Sequence, residues 1–206
     1  MRKFFIFAFA VFAQMTCVAQ SKVELPAPVG SGGMGLFEVL QKRASVRDYS
    51  KKDIPTEVLS RVLWAACGKN RPDGRITAPS AVNAQDVMVY VCKSNGAFLY
   101  DAQNNALVRV TKKDLRKAVA GRQEFAAKAP VSLVLVSNLN KLPHANQMLG
   151  AMEVGYVSEN ICLACTALGL ATVPCATMDI ETLKKELGLV ENQVPMLNNP
   201  IGYPVE

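Results

Sequence analysis

Apolar positions recur along the chain with two different periods, and these periods predict a mixture of helices and strands. Between Asp53 and Gly68 the apolar residues follow helical spacing, and Pro55 suits the first turn of that helix. Residues 131–136 are almost continuously apolar, as in a central strand covered on both faces. The other predicted helices cover 35–43, 114–119, 146–168 and 179–187, and the other extended segments cover 46–50, 87–92, 98–100, 107–110, 171–174 and 193–203. Because these elements follow no strict βαβ order, the pattern favours an α+β fold.

The first nineteen residues have the layout of a secretory signal peptide. Arg2 and Lys3 precede ten consecutive apolar residues, and small residues stand at Cys17 and Ala19, three and one positions before the expected cleavage point. We therefore expect cleavage after Ala19, export and a periplasmic location. Two alternatives are a buried N-terminal helix and a lipoprotein signal with Cys17 as the acylated residue. The apolar run shows no helical stripe, and the residues before Cys17 are a poor match for lipoprotein processing.

Composition changes once that segment is set aside. The chain has 206 residues and a formal net charge of +6, and without its first nineteen residues it has 187 residues and a charge of +4. Residues 20–34 are rich in Ser, Pro and Gly and are expected to form a tether before one domain over 35–206. The basic residues are scattered, so nucleic-acid binding is not indicated, and no apolar run reaches the ~18 residues of a membrane span.

Five cysteines remain after the predicted cleavage, and two of them form a Cys-x-x-Cys pair at Cys162 and Cys165. This spacing occurs in redox pairs and in half of a zinc site. Here the neighbouring residues are apolar, no second pair exists, and His144 is the only histidine. The favoured interpretation is that both cysteines are small core residues of a helix, and no metal site is predicted.

The first candidate for chemistry follows the first predicted helix. Arg43, Ser45 and Arg47 stand on alternate residues of an extending backbone, so two guanidiniums and a hydroxyl face the same way. Such donors suit a phosphate group. Taken alone, the favoured alternative is a solvated basic helix end.

A second candidate is the loop of small residues over 78–85. Ser80 contributes a hydroxyl, and Asn83 and Gln85 contribute amides that could read the edge of a planar ligand. An ordinary helix cap at Ser80 is the alternative.

Two further segments are weaker candidates. The predicted helix over 146–168 carries Glu159 and Asn160 among apolar residues, so these polar groups need partners across a subunit boundary, or else face solvent. At 173–177 the backbone amides could face a ligand, although a plain strand-to-helix turn explains the same sequence.

Taken in order, the four segments resemble the nitroreductase-like flavoprotein family, in particular its compact branch related to thiazoline and oxazoline dehydrogenases. The likeness runs from Leu36 to Pro204. It implies an α+β fold with a central mixed sheet flanked by helices, a homodimer, and FMN bound at the subunit interface. The implied cofactor-binding residues are Arg43, Ser45, Arg47, Pro79, Ser80, Ala81, Asn83, Gln85, Arg122, Gln123, Pro174, Cys175 and Ala176. Whether Arg122 or Gln123 approaches the flavin stays open.

The resemblance implies electron transfer through flavin N5 by a ping-pong mechanism, with nitroaromatics, quinones or similar acceptors, and with NAD(P)H as one candidate donor. No catalytic side chain is expected, because the cofactor carries the hydride. The alternatives are an exported flavin-binding protein without turnover, an azoline-type dehydrogenase that works in the oxidative direction, and an interaction module. Some family members hold the phosphate with further basic residues after the segment matching 201–204; here Arg75 is the substitute candidate.

Overall fold

The structure is a computed structural model that describes residues 21–28 and 33–205. The predicted signal peptide, with Cys17 and Ala19, lies outside the described residues. Among the helices of the described part, none is long and apolar enough to cross a membrane.

Strands and helices together form an α+β fold, as the pattern predicted. The strands are β1 (Lys22–Glu24), β2 (Val87–Lys93), β3 (Gly96–Asp101), β4 (Ala106–Thr111), β5 (Val131–Asn138), β6 (Ala171–Thr172) and β7 (Gln193–Gly202). The helices are α1 (Leu36–Lys42), α2 (Thr56–Cys67), α3 (Arg116–Ala120), α4 (Glu124–Ala127), α5 (Gln147–Ala167) and α6 (Ile180–Leu187).

The strands make one sheet in the order β1-β4-β3-β2-β5-β7-β6. The expectation of a mixed sheet is wrong for the described residues, because every pairing among these strands is antiparallel. Tight turns join β2, β3 and β4, and the short α3–α4 connection returns the chain so that β5 runs antiparallel to β2. As predicted, β5 is central and almost entirely buried.

Alternate side chains of β5 enter two separate cores. Leu133 and Leu135 pack on the face covered by α2 and α5, whereas Val134 and Val136 pack on the face covered by α3 and α6. Each of these residues is fully buried, and burial of such a side chain contributes about 1.5–3 kcal/mol. The apolar run over 131–136 therefore reflects two covered faces, as the sequence predicted.

The predicted tether over 20–34 is wrong at its start. Lys22–Glu24 forms β1 on β4, and Leu25 is buried in the larger core. The amide of Asn105 secures this segment, since its Nδ2 donates to Pro26 O at 2.9 Å. The sequence did not predict this strand because three residues are too few to show a period.

Two other segments differ from the predictions. Residues 46–50 form no strand, and Tyr49 makes a single bridge to Pro204. The short helix α4 was not predicted. Two helices begin with side-chain caps: Asn146 accepts from Leu149 N at the start of α5, and Asp179 accepts from Thr182 N at the start of α6, each at 3.1 Å.

Candidate active site

The segment that contains Arg43, Ser45 and Arg47 runs along β6 at one edge of the sheet. Val46 N donates to Thr172 O at 3.0 Å, and the buried Tyr49 hydroxyl donates back to Val46 O at 3.1 Å. These two bonds fix the backbone between the arginines, although the segment has no regular secondary structure.

Neither arginine forms an ion pair with any residue of the described chain. Arg43 is half-buried and Arg47 is exposed, with its guanidinium carbon 5.9 Å from the centre of the Phe125 ring. By contrast, Lys42 in the last turn of α1 pairs with Glu38 at 2.7 Å. The two arginines and Ser45 are therefore positioned to bind an anion.

The segment over 121–125 lies beside these arginines through Phe125. Gly121 has a φ of 56°, and a Cβ there would come within 3.2 Å of the Met178 backbone. Gln123 Oε1 is buried and finds no donor among the described residues. Arg122 instead projects into an open cavity of about 710 Å³, which Lys117 and Thr177 also line.

The segment over 174–177 reaches the same edge. Cys175 N donates to Asn198 O at 2.8 Å and Asn198 N donates to Cys175 O at 2.7 Å, so both backbone groups of Cys175 are used. Pro174 and Ala176, on either side of it, are exposed. Within the described residues the N–H of Ala176 makes no hydrogen bond, so this amide is the donor left for a ligand.

Cys175 itself does not have the properties of a nucleophile. Its side chain is buried, and burial raises the pKa of its thiol, although the charge of Arg47 opposes the shift. Cys162 and Cys165 are buried in α5, which confirms the core interpretation of this pair. Burial raises the pKa of Cys162 to about 11.

The loop over 79–85 lies apart from this edge. Ser80 does not cap a helix; its Oγ accepts from Gln85 N at 2.7 Å and closes the loop on itself. Gln85 Nε2 donates to Gly74 O and to Asn83 Oδ1, each at 3.1 Å. Ala81 N donates to Glu153 Oε1 at 2.7 Å. Pro79 is exposed, as is Arg75, which pairs with Asp73 beside this loop rather than approaching Arg43.

The two groups of candidate residues contact different turns of α5. The loop is anchored at Glu153, whereas the charge of Arg43 acts on Cys162. Nine helical residues separate the two positions, which corresponds to about 13 Å along the axis. Among the described residues, no hydrogen bond, ion pair or ring contact joins the loop to Arg43 or Arg47.

Comparison with known proteins shows to which family the chain belongs. The sequence model of the nitroreductase family matches residues 40–203. The chain belongs to the nitroreductase family. A Methanocaldococcus jannaschii protein provisionally named a nitroreductase is 31% identical over 187 residues, covering 83% of this chain and 92% of that protein.

Further nitroreductase-family relatives support the same assignment. A protein of Methanothermobacter thermautotrophicus, provisionally named an NADH dehydrogenase/NAD(P)H nitroreductase, is 24% identical and covers 84% of this chain and 79% of its own length. A Ralstonia eutropha crystal structure, also provisionally named a nitroreductase, is 32% identical with a TM-score of 0.84 and covers 90% of each chain. The family supports a general oxidoreductase role.

Nitroreductase-family proteins generally bind a flavin, and the edge formed by Arg43, Arg47, Gln123 and Ala176 has groups that fit one. The arginines can bind a phosphate. The buried Gln123 Oε1 needs a donor, and the pyrimidine ring of a flavin carries an N–H. The sequence could not decide between Arg122 and Gln123 as the residue near a flavin. Of these two, Gln123 has the acceptor that is unsatisfied without a ligand.

The sequence analysis missed three buried polar residues that shape these segments: Asp86, Glu153 and Asn198. Of the two alternatives for Glu159 and Asn160, solvent exposure is confirmed for Glu159, whereas Asn160 donates to Ala66 O at 3.4 Å. The signal that could have been used was a carboxylate immediately before an apolar strand, at Asp86, and another within the apolar part of α5.

Proposed function

We propose that this protein is an FMN-dependent oxidoreductase with a ping-pong mechanism. The observation that carries the proposal is the set of unsatisfied groups at one edge of the sheet. Arg43 and Arg47 lack ion pairs within the described chain, Gln123 Oε1 lacks a donor, and Ala176 N lacks an acceptor. A chain normally satisfies its buried polar atoms, so the Gln123 acceptor in particular supports a ligand at this edge.

The chain's residues have distinct roles in this proposal. Arg43, Ser45 and Arg47 bind the FMN phosphate and ribityl chain, and Gln123 accepts from the pyrimidine edge. The exposed N–H of Ala176 lies in the segment assigned to the reacting face. FMN bound by these residues would supply hydride and two-electron transfer chemistry through N5, alternating between a donor and a second molecule.

The cavity beside Arg122 and Thr177 suits the two small molecules that react in turn. Its volume of about 710 Å³ lies within the usual range for small-molecule sites. Nitroaromatics, quinones and similar acceptors are the proposed substrates. No side chain near the cavity needs to act as an acid or a base, and the thiol of Cys175 stays protonated and buried.

We also propose that two copies of the chain complete each site. The loop over 79–85 is anchored about 13 Å along α5 from the turn on which the charge of Arg43 acts, which suits a ligand that is contacted by the arginines of one chain and the loop of the other. The surface between them is apolar: Met148, Met152 and Tyr156 follow one face of α5 with exposed fractions of 75%, 48% and 40%. Val82 at the tip of the loop is 79% exposed. A second copy packed there removes this apolar surface from water.

The visible spectrum of the purified protein tests the cofactor assignment. We expect a yellow protein, or a colourless one that binds FMN stoichiometrically in a fluorescence titration. Failure to bind FMN in either form contradicts the proposal. An anaerobic titration with NADH, NADPH and an artificial reductant then separates an enzyme from a flavin-binding protein without turnover. Only the enzyme returns its electrons to a quinone or nitroaromatic.

Export affects the choice of donor. If the segment over 1–19 directs export, NADH and NADPH are expected to be scarce where the protein works, and a different donor or an oxidative azoline-type reaction is favoured. Mass spectrometry of protein secreted by the native host tests this proposal, since cleavage after Ala19 leaves Gln20 as the first residue. Lipid attached to Cys17 supports the lipoprotein alternative, and an intact N-terminus contradicts both.

A further inference from the structure

Two carboxyl groups are buried beneath the loop over 79–85. Asp86 is completely buried and Glu153 is 3% exposed. The two side chains are neighbours, because Ser137 Oγ donates to Asp86 and also lies against Gly150, one turn before Glu153 in α5. Asp86 precedes β2, and Glu153 lies in the second turn of α5, so the contact joins the sheet to the helix.

The hydrogen bonds around the pair leave one position for a proton. Glu153 Oε1 accepts from Ala81 N at 2.7 Å. Ser137 Oγ donates to Asp86 Oδ2. Asp86 Oδ1 is buried and has no donor among the described side chains and backbone groups. Two ionised carboxylates only accept, so a proton on Glu153 is the group that can satisfy Asp86.

No cation compensates this pair. Within the described residues, neither Asp86 nor Glu153 forms an ion pair with a basic side chain. Lys141 is bonded to the same loop, but its Nζ donates to the backbone at Gln85 O, at 3.0 Å, rather than to either carboxyl group. Burial, followed by the hydrogen bond to Asp86, raises the pKa of Glu153 to about 7.

The loop above the pair is strained. Val82, Asn83 and Gln85 have φ values of 48°, 56° and 48°, a region that costs a β-branched residue such as Val82 the most. Such a backbone persists only where its surroundings hold it. The bond from Ala81 N to Glu153 stands immediately before the first strained residue.

The close packing of α5 against β5 also indicates that the Asp86–Glu153 pair helps to hold the strained loop. A Cβ on Gly150, one turn before Glu153, would lie 2.5 Å from Ser137 Oγ. Only glycine allows the helix to approach the strand this closely. This approach brings Ser137, Asp86 and Glu153 next to one another.

We propose that a protonated Glu153 donates to Asp86, and that this protonated pair holds the loop over 80–85 in the conformation that meets the cofactor. Both are positioning residues, because they act through the loop rather than on a ligand. The last part of the proposal rests on the proposed function, whereas the link between the protonated pair and the loop does not. When the pair loses its proton, two buried negative charges repel each other and the Ala81 anchor weakens.

The experiment measures the loop directly in the protein as purified. Amide hydrogen exchange at Ala81–Gln85 is followed by NMR or mass spectrometry between about pH 5.5 and pH 8.5, with intrinsic rates divided out. We expect protection to fall about tenfold as Glu153 ionises. Glu153→Gln keeps an acceptor for Ala81 N and a donor for Asp86, so its protection should not change with pH. Glu57→Gln removes an exposed carboxylate from α2 and should behave like the wild type.

A second variant keeps the proposal testable if Glu153→Gln does not fold. Asp86→Asn offers an amide N–H to ionised Glu153, so the transition should move to lower pH by about one unit or more. The infrared C=O band of a protonated buried carboxyl should also disappear in Glu153→Gln. Wild-type protection that is constant with pH, or a transition that persists unchanged in both variants, overturns the proposal.

Titration with FMN at the two ends of the pH range separates the two hypotheses. If the loop transition occurs and FMN binds about tenfold more weakly above it, both are supported. If the transition occurs and FMN binds at no pH, the protonated pair stands and the proposed function fails. If FMN binds equally at every pH despite the transition, the loop does not meet the cofactor and the positioning role is overturned.

Discussion

The two groups of candidate residues, which contact different turns of α5, satisfy their polar atoms in different ways. In the loop over 79–85, the Ser80 hydroxyl and the Gln85 amide are bonded within the chain. At the edge near β6, Arg43 and Gln123 Oε1 have no partner of this kind among the described residues. The loop is thus built to hold a shape, whereas the edge is built to receive a ligand.

The charges near the two groups of candidate residues also differ. The edge has two arginines without carboxylate partners in the described chain, whereas beneath the loop Asp86 and Glu153 are buried without a cation. A charge that is left unpaired and exposed attracts a ligand, whereas a buried carboxyl pair stores a proton. The difference indicates which substitutions should affect binding of FMN and which should affect the shape of the protein.

Removal of both arginines should produce the largest effect, since it eliminates the charge at the edge. We expect Arg43→Ala with Arg47→Ala to weaken FMN binding by about 100-fold, because each charge-assisted bond is worth about 1.5–3 kcal/mol and the two are not fully additive. Isothermal titration of the apoprotein measures the change. Lys112→Ala removes an exposed positive charge far from the edge and should leave affinity within about twofold. Equal losses in both proteins would show that net charge alone binds the cofactor.

Asn198 connects the edge to the core, so its substitution should have the next largest effect. Its Nδ2 donates to Cys175 O at 3.2 Å and to Thr177 O at 3.4 Å, and the residue is completely buried. Asn198→Ala should lower the free energy of unfolding by about 2 kcal/mol and increase exchange at 174–177. Asn104→Ala, at an exposed turn, is the control and should cost less than about 0.5 kcal/mol. Unchanged exchange at 174–177 would mean that the strand pairing alone holds this segment.

The sequence predicted the central strand correctly because that strand depends on local pattern, whereas the ligand-binding role of the arginine segment stays a prediction. The apolar run of β5 and the alternation of Arg43, Ser45 and Arg47 can be read without knowing what packs nearby. The ordered set of motifs also indicated the family. The pattern could not reveal β1, because its three residues owe their position to pairing with β4 and to the anchor at Asn105.

The sequence could not identify the buried carboxylates for a related physical reason. Glu153 and Glu159 look equivalent on a helix of apolar residues, yet one is buried against Asp86 and the other is exposed. Only the approach of α5 to β5 at Gly150 decides which carboxylate leaves water. Similarly, the choice between Arg122 and Gln123 depends on which side chain is buried without a partner, a property of packing rather than of residue type.

The carboxyl pair should make stability depend on pH. The pKa of Glu153 is about 7 in the folded protein, compared with its ordinary value of 4.5. The folded state therefore binds more protons between these values, so stability is highest below about pH 4.5, falls as the pH rises to about 7, and is then constant as far as this group is concerned. Denaturant unfolding at several pH values measures this slope. In Glu153→Gln the slope should be reduced, with a gain of about 1–2 kcal/mol at pH 8. The same slope in wild type and variant would contradict the assignment.

Substitution of Gln123 should produce the smallest effect, and it should separate FMN affinity from the stability of the apoprotein most clearly. Because its buried Oε1 has no donor within the described chain, Gln123→Leu should leave the apoprotein as stable as wild type while it weakens FMN binding by about fivefold. Gln193 is the matched control, since its Oε1 already accepts from Val190 N at 3.1 Å. Gln193→Leu should cost about 1 kcal/mol of stability and leave FMN affinity unchanged. If instead Gln123→Leu destabilises the apoprotein as much as Gln193→Leu does, the Gln123 acceptor is satisfied without a ligand and the edge loses its second cofactor contact.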